Sequence, residues 1–373
     1  MKKALLCILA ITLALLCNAE SHSQALKPVV KIGVITPMSG DFAVLKELAT
    51  IIDKRTAELN ADPKNKFEYK LIFEDSKFDP KTSHMAAMKL LRVDKVDALL
   101  TIAALSVNVV APLATQYRVP QLAVASENPS YGKWSFTYFN TSDDVAELAL
   151  RAGKALGYKS FVVIGQRQEA ILLYAAGLKK AAKLLGMEDK AEFLWNPTDI
   201  KDFRGYLLRT RELNPDFIMF PPTPPDPDIV FRQMRELGMT TPVAGTESFG
   251  LVEDKKWVEG RWVSGCPPMT PEMITKIKSY GVEPKLTYDP YVYDLVDIMV
   301  KAVEQAGTAN EGKKPSGVQI REALANMKTV ETTFGPVKQE NNIFMPKPVL
   351  VYYQNGIGRE VSIEELKLLK GVK

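Results

Sequence analysis

The sequence predicts an α/β protein of two similar lobes, each a mainly parallel sheet flanked by helices. Three observations carry this. Short, nearly continuous apolar runs alternate with amphipathic stretches of ten or more residues, the pattern of a sheet covered on both faces. The alternation breaks near residue 140 and restarts at residue 160. The 373 residues also exceed what one core organises, since cores stop growing at roughly 250–300 residues.

Lys2 and Lys3, an apolar run from Ala4 to Cys17, and small residues at Ala19, Ser23 and Ala25 read as a secretory signal peptide over 1–25, cut between residues 19 and 25. The run is too short to span a bilayer with its flanks, and the alternative of a retained anchor lacks a stop-transfer pattern. A lipid on Cys17 would want small residues before it, where Leu15 and Leu16 are bulky. A periplasmic product is therefore expected.

The first strand covers 29–35 and ends in Thr36-Pro37-Met38-Ser39-Gly40, with a helix over 42–59 and a second strand over 69–75. Asp79 before Pro80 is an N-cap with proline at the first helical position. That helix carries Met85, Met88, Leu90 and Leu91. A strand over 97–102, a helix over 107–117 and a strand over 121–126 complete the first set. The second set runs through strands at 160–165, 191–195, 216–220 and 242–246 and helices at 171–185, 202–213 and 227–237. Helices over 290–306 and 317–327 follow, then Phe334-Gly335-Pro336-Val337 and a strand over 348–353. Asn355-Gly356 signals a hairpin turn. The proline-rich segment 220–227 sits between a strand and a helix and reads as a stiff loop rather than a ligand for an aromatic groove.

Composition fits a soluble globular product, at 46% hydrophobic and 25% charged, with no second apolar run long enough to cross a membrane. The formal charge of +4 falls to +2 if Lys2 and Lys3 leave with the leader, which gives no electrostatic footprint for nucleic acid. Of three cysteines, Cys7 and Cys17 lie in the leader, so Cys266 has no internal disulfide partner and reads as a small buried hydrophobe. With His22 and His84 the only histidines, neither a His-based triad nor a zinc site is expected. The chain has no dinucleotide glycine fingerprint, no phosphate-loop lysine pattern and no His-Glu-x-x-His, and no cofactor is expected. In Gly245-Thr246-Glu247-Ser248-Phe249-Gly250 the serine stands one position too far along for a nucleophile elbow. Glu127 and Glu247 are the carboxylate pair a cleft hydrolase would use.

Several segments together resemble the periplasmic solute-binding proteins of branched-chain amino-acid type that feed ABC importers. They are Lys31-Ile32-Gly33-Val34 with Pro37-Met38-Ser39-Gly40, Glu74-Asp75 with Asp79-Pro80, Ala111-Pro112-Leu113-Ala114 running into Val119-Pro120, Asn128-Pro129, Asp202-Phe203, Pro215-Asp216, Leu237-Gly238, Val258-Glu259-Gly260 and Gly335-Pro336-Val337. The resemblance implies the type I periplasmic binding fold, two Rossmann-like lobes joined by three crossover strands and closing on a small ligand by hinge bending. Crossings are expected near Thr141, Cys266 and Pro336, giving a first lobe of 28–140 plus 268–334 and a second of 141–267 plus 335–373. It also implies a membrane ABC permease as partner and a monomer in solution. A sensor that docks on a receptor is the alternative use of the same fold.

Carried over residue by residue, the resemblance departs at the ligand. The family's clamping serine and threonine fall on Ala104 and Glu127, with Ala125 keeping a backbone contact beside Ser126. Its stacking tyrosines fall on Ala170 and Thr223, and its acidic partner for the ligand ammonium matches Glu247. Gln166 and Arg167 are the nearest replacement donors, Ser106 recovers a hydroxyl if the register slips, and Phe42 or Tyr131 supplies apolar contact. Two lost hydrogen bonds to a charged group amount to roughly 3–6 kcal/mol, against about 8 kcal/mol for micromolar binding. The ligand is therefore expected not to be a simple aliphatic amino acid.

Overall fold

The computed structural model describes residues 27–40, 45–127, 129–196, 202–223, 226–284 and 288–372. The leader lies outside the described residues.

Strand β1 (Val29–Thr36) is buried from Ile32 onward because helices cover both its faces. Helix α1 (Glu47–Ala61) leads to β2 (Glu68–Asp75), parallel to β1. Asp79 accepts from the Thr82 amide at 2.6 Å and Pro80 opens α2 (Pro80–Met88), which continues as a π turn over Lys89–Asp94. Then come β3 (Ala98–Ile102), α3 (Ala104–Tyr117), β4 (Gln121–Val124) and β5 (Ser135–Tyr138). The chain leaves this sheet through 139–141 and enters α4 (Ser142–Ala155). Thr141 caps α4 on the Asp144 amide, and Asp143 and Asp144 suit the positive end of its dipole.

The second sheet is assembled by β6 (Ser160–Gln166), α5 (Glu169–Leu185), β7 (Glu188–Trp195), α6 (Arg204–Glu212), β8 (Phe217–Met219), α7 (Asp226–Glu236), β9 (Val243–Thr246) and β10 (Trp262–Gly265). The chain returns through α8 (Pro271–Ser279), α9 (Asp289–Ala309) and α10 (Gly317–Asn326) to β11 (Thr329–Thr332), β12 (Gly335–Glu340) and β13 (Ile343–Met345). Strands β14 (Val349–Gln354) and β15 (Ile357–Val361), then α11 (Ile363–Leu369), end the described chain. Asn355 and Gly356 join β14 to β15 with φ of 54° and 73°, the left-handed pair a two-residue hairpin requires.

The first sheet has the order β11-β12-β13-β5-β4-β3-β1-β2 and the second β15-β14-β10-β9-β8-β6-β7, so neither is continuous in sequence. Leu48 and Ile51 of α1 pack with Leu295 and Met299 of α9 over one face of the first sheet, while Ala87, Leu90 and Val110 cover the other. Arg55 and Asp297 clamp α1 to α9 through two bonds of 2.7 and 3.0 Å. In the second lobe Leu150 and Leu178 cover one face, and Leu207 and Phe231 the other.

One boundary differs from expectation. Instead of crossing near Pro336, the chain adds β12 and β13 to the first sheet and crosses over 346–348. Pairing decides this, since β13 lies parallel to β5, with Ile343 opposite Thr137 and Phe344 opposite Tyr138, and Phe344 is fully buried in the first core.

Candidate functional site

The parallel strands of both sheets end at a cavity of about 670 Å³ between the lobes. This is where open α/β sheets place their ligands, and the volume lies within the usual range for small-molecule sites. The first lobe contributes Leu45, Leu48 and Phe78, then Ile102 to Leu105 after β3 and Val124 to Ser126 after β4. The second contributes Gln166 to Ile171 and Tyr174 around the start of α5, Pro221 to Thr223 after β8, and Thr246 to Ser248 after β9. Phe139 and Asn140 on the first crossing and Tyr288 just before α9 close it, and the Phe139 and Tyr288 rings stack at 6.0 Å.

Backbone chemistry at the first-lobe wall is unusual. Ala103 holds φ of 78°, a region that favours glycine, and caps α3 with no side-chain hydrogen bond. Ala104 and Leu105, whose amides a helix start leaves without intrahelical partners, lie on the cavity wall. Across the cavity, Glu247 opens a short 3₁₀ turn over Glu247–Leu251 and is 9% exposed. Burial pushes its carboxyl up to about 7, and its own backbone amide only partly offsets this. Gly265 makes room for it, since a Cβ there would stand 2.2 Å from Glu247 Oε2. Burial first, and then the same carboxylate, raise the pKa values of Tyr174, Tyr288, Tyr353 and Cys266, so these groups stay neutral beside it.

Of the residues singled out in the sequence, Ala104, Ala125, Ser126, Gln166, Arg167, Ala170, Thr223 and Glu247 meet around this cavity. Arg167 is exposed at the wall, its amide donating to the Trp195 carbonyl at 2.6 Å. Phe42 lies outside the described residues. Three others stand elsewhere. Ser106 is fully buried, its hydroxyl paired with that of Ser83 at 3.0 Å, because two residues along a helix turn a side chain to the far face. Glu127 Oε1 accepts from the Ser142 amide at 2.8 Å, so it caps α4 instead of lining the cavity, and burial pushes its pKa above the usual carboxylate value. Tyr131 is buried between α3 and β4 against Val107 and Ala123. Glu127 and Glu247 therefore do not face one another across the cavity, as a hydrolase pair would.

Sequence reasoning passed over Phe78, Phe139, Tyr174, Gln168 and Tyr288. Tyr174 was recoverable, since it lies one helical turn beyond Ala170 on the same face. Tyr288 and Phe139 come from distant segments that only the fold joins. Among the described residues no group of His, Cys, Asp or Glu could hold a metal ion, and no helix is long and apolar enough to cross a membrane.

Residues 29–256 match the family described as periplasmic binding protein. No curated protein matches the chain in sequence. Among solved structures it is similar to a leucine-binding protein, LivK, of Thermotoga maritima, with a TM-score of 0.78 and 22% identity over 89% of this chain and 98% of that one. The LivJ substrate-binding protein of Streptococcus pneumoniae, solved with isoleucine, gives 0.76 and 17% over 89% and 99%. A solute-binding protein of a Rhodopseudomonas palustris ABC transporter, solved with 4-hydroxybenzoate, gives 0.75 and 20% over 90% and 96%. At these identities the likeness shows the fold.

Proposed function

Because the chain belongs to the periplasmic binding protein family, we propose that it captures a small molecule between its two lobes outside the cytoplasm and hands it to a membrane ABC permease. The leader over 1–25 would export it and be removed, releasing a soluble receptor. It would act as a monomer, with both lobes of one chain lining the cavity. The observation that carries the reading is this interlobe cavity at the carboxyl ends of both sheets, with both lobes contributing polar groups that a hinge motion would bring onto one ligand.

Chemistry narrows the ligand. The wall is mainly apolar, with Phe78, Phe139, Tyr174 and Tyr288 offering ring faces and edges. Neither position that resembles the amino-acid clamp brings a hydroxyl to it, because residue 104 is alanine and Glu127 is turned to the Ser142 amide. Glu247 offers an acceptor. The ligand is a compact, ring-sized apolar molecule bearing at least one hydrogen-bond donor, and not leucine, isoleucine or valine. Thermal-shift screening of ligand-free protein tests this, since a true ligand at a hundred times its Kd stabilises by about 2.7 kcal/mol. Strong shifts with the three aliphatic amino acids, and none with ring compounds, would reject it.

A further inference from the structure

A chain of four polar side chains runs from behind the second-lobe wall, at Trp195 and Asp226, to Gln166 and Gln168 on the wall itself. Trp195 Nε1 and Gln166 Nε2 each donate to Asp226 Oδ2 at 2.7 Å, and Gln168 Nε2 donates to Gln166 Oε1 at 2.7 Å. Chemistry forces this order. An indole N–H only donates, so Asp226 Oδ2 accepts. The Gln166 atom facing the same oxygen must then be its nitrogen, which turns Gln166 Oε1 to Gln168 and requires nitrogen in reply. Gln168 Oε1 is left with no partner among the described residues, in a side chain on the cavity wall.

The inner part of the chain is rigid. Trp195 and Asp226 are 2% and 3% exposed, and the indole packs against Phe203 at 4.7 Å. Asp226 opens α7, whose dipole favours a negative charge there, and its amide donates to the Thr223 carbonyl at 3.1 Å.

We propose that Asp226, which does not touch the cavity, is a positioning residue. Through Gln166 it orients the Gln168 carboxamide so that the ligand meets an acceptor oxygen, and the protein thereby selects ligands carrying a hydroxyl or N–H at that point. This rests on the reading of the cavity as the ligand site. A carboxamide free to turn over donates or accepts alike, whereas one held in a single sense discriminates. One neutral hydrogen bond corresponds to roughly tenfold in affinity.

The test compares the wild-type exported chain, stripped of ligand, with Asp226→Ala and Asp226→Asn. Binding of 4-hydroxybenzoate and benzoate is titrated, and solvent exchange of the Trp195 indole and Gln166 side-chain amide protons is followed by NMR. The wild type is expected to protect those protons and to prefer the hydroxylated probe roughly tenfold. Asp226→Ala should abolish the protection and bring the preference towards one. Asp226→Asn should restore both, because its amide oxygen still accepts from both donors. A purely structural Asp226 would weaken both probes equally and leave their ratio intact, which overturns the proposal, as does rapid exchange in the wild type. Protection that Asp226→Ala abolishes supports the relay even if neither probe binds; in that case the ring-sized ligand is the reading that fails.

Discussion

Replacing Glu247 by glutamine keeps the shape of the buried side chain and removes its charge. In the folded chain the carboxyl holds its proton up to about 7, against a reference value of 4.5. Below 4.5 both folded and unfolded states are protonated, and charge burial costs nothing. Between these values the unfolded chain gives up its proton while the folded one retains it, so stability falls as pH rises and the loss is complete above about 7. At 1.36 kcal/mol per pH unit, this comes to about 3 kcal/mol. The neighbouring Tyr174, Tyr288, Tyr353 and Cys266 are raised and stay neutral across the window, so they do not mask it. Urea unfolding of wild type and Glu247→Gln from pH 4 to 8.5 should give equal stability at the acid end. The variant should gain about 3 kcal/mol at the alkaline end, roughly 4 °C in Tm for a chain of this length. A difference that does not change with pH would refute the account of a carboxyl buried without a cationic partner.

Three further predictions follow from the packing. Ala104→Trp, on the cavity wall at the first turn of α3, should abolish ligand binding by filling the space, with Tm unchanged in ligand-free protein; calorimetric titration checks it. Gly307→Ala should destabilise by about 1–3 kcal/mol in urea unfolding, because its Cβ would stand 2.2 Å from the fully buried Phe67 ring. Asp75→Ala removes the acceptor of the Met38 amide at 2.8 Å, the Ser39 hydroxyl and the Lys77 amide at 2.9 Å, loosening residues 38–39 after β1 and residue 77 beside Phe78 on the wall. It should weaken ligand binding roughly tenfold by titration, the equivalent of about 1.4 kcal/mol.

The regular part of the fold was legible because local chemistry and burial agree there. Asp79-Pro80 announced the start of α2, and Asn355-Gly356 the hairpin. Helix α4 went unread although Thr141, Asp143 and Asp144 mark its start and Val145, Ala149 and Ala152 its buried face. The short strands β12 and β13 owe their place to pairing across the sheet, which no local pattern encodes. At the site, strand ends located the wall but not the facing of each side chain. Ala104 and Ser106 lie two residues apart on one helix, and only one of them meets the cavity. Glu127 follows β4 like its neighbours Ala125 and Ser126, yet the start of α4 draws its carboxylate away. The pairing of Gln168 with Gln166 and Asp226 joins three segments, so its polarity became readable only once the indole of Trp195 was in place.

Native mass spectrometry of protein purified gently from its exporting host tests the central claim most directly. The account predicts one equivalent of an unaltered small molecule other than leucine, isoleucine or valine, absent from Ala104→Trp. Stoichiometric aliphatic amino acid, retained by Ala104→Trp, would contradict it.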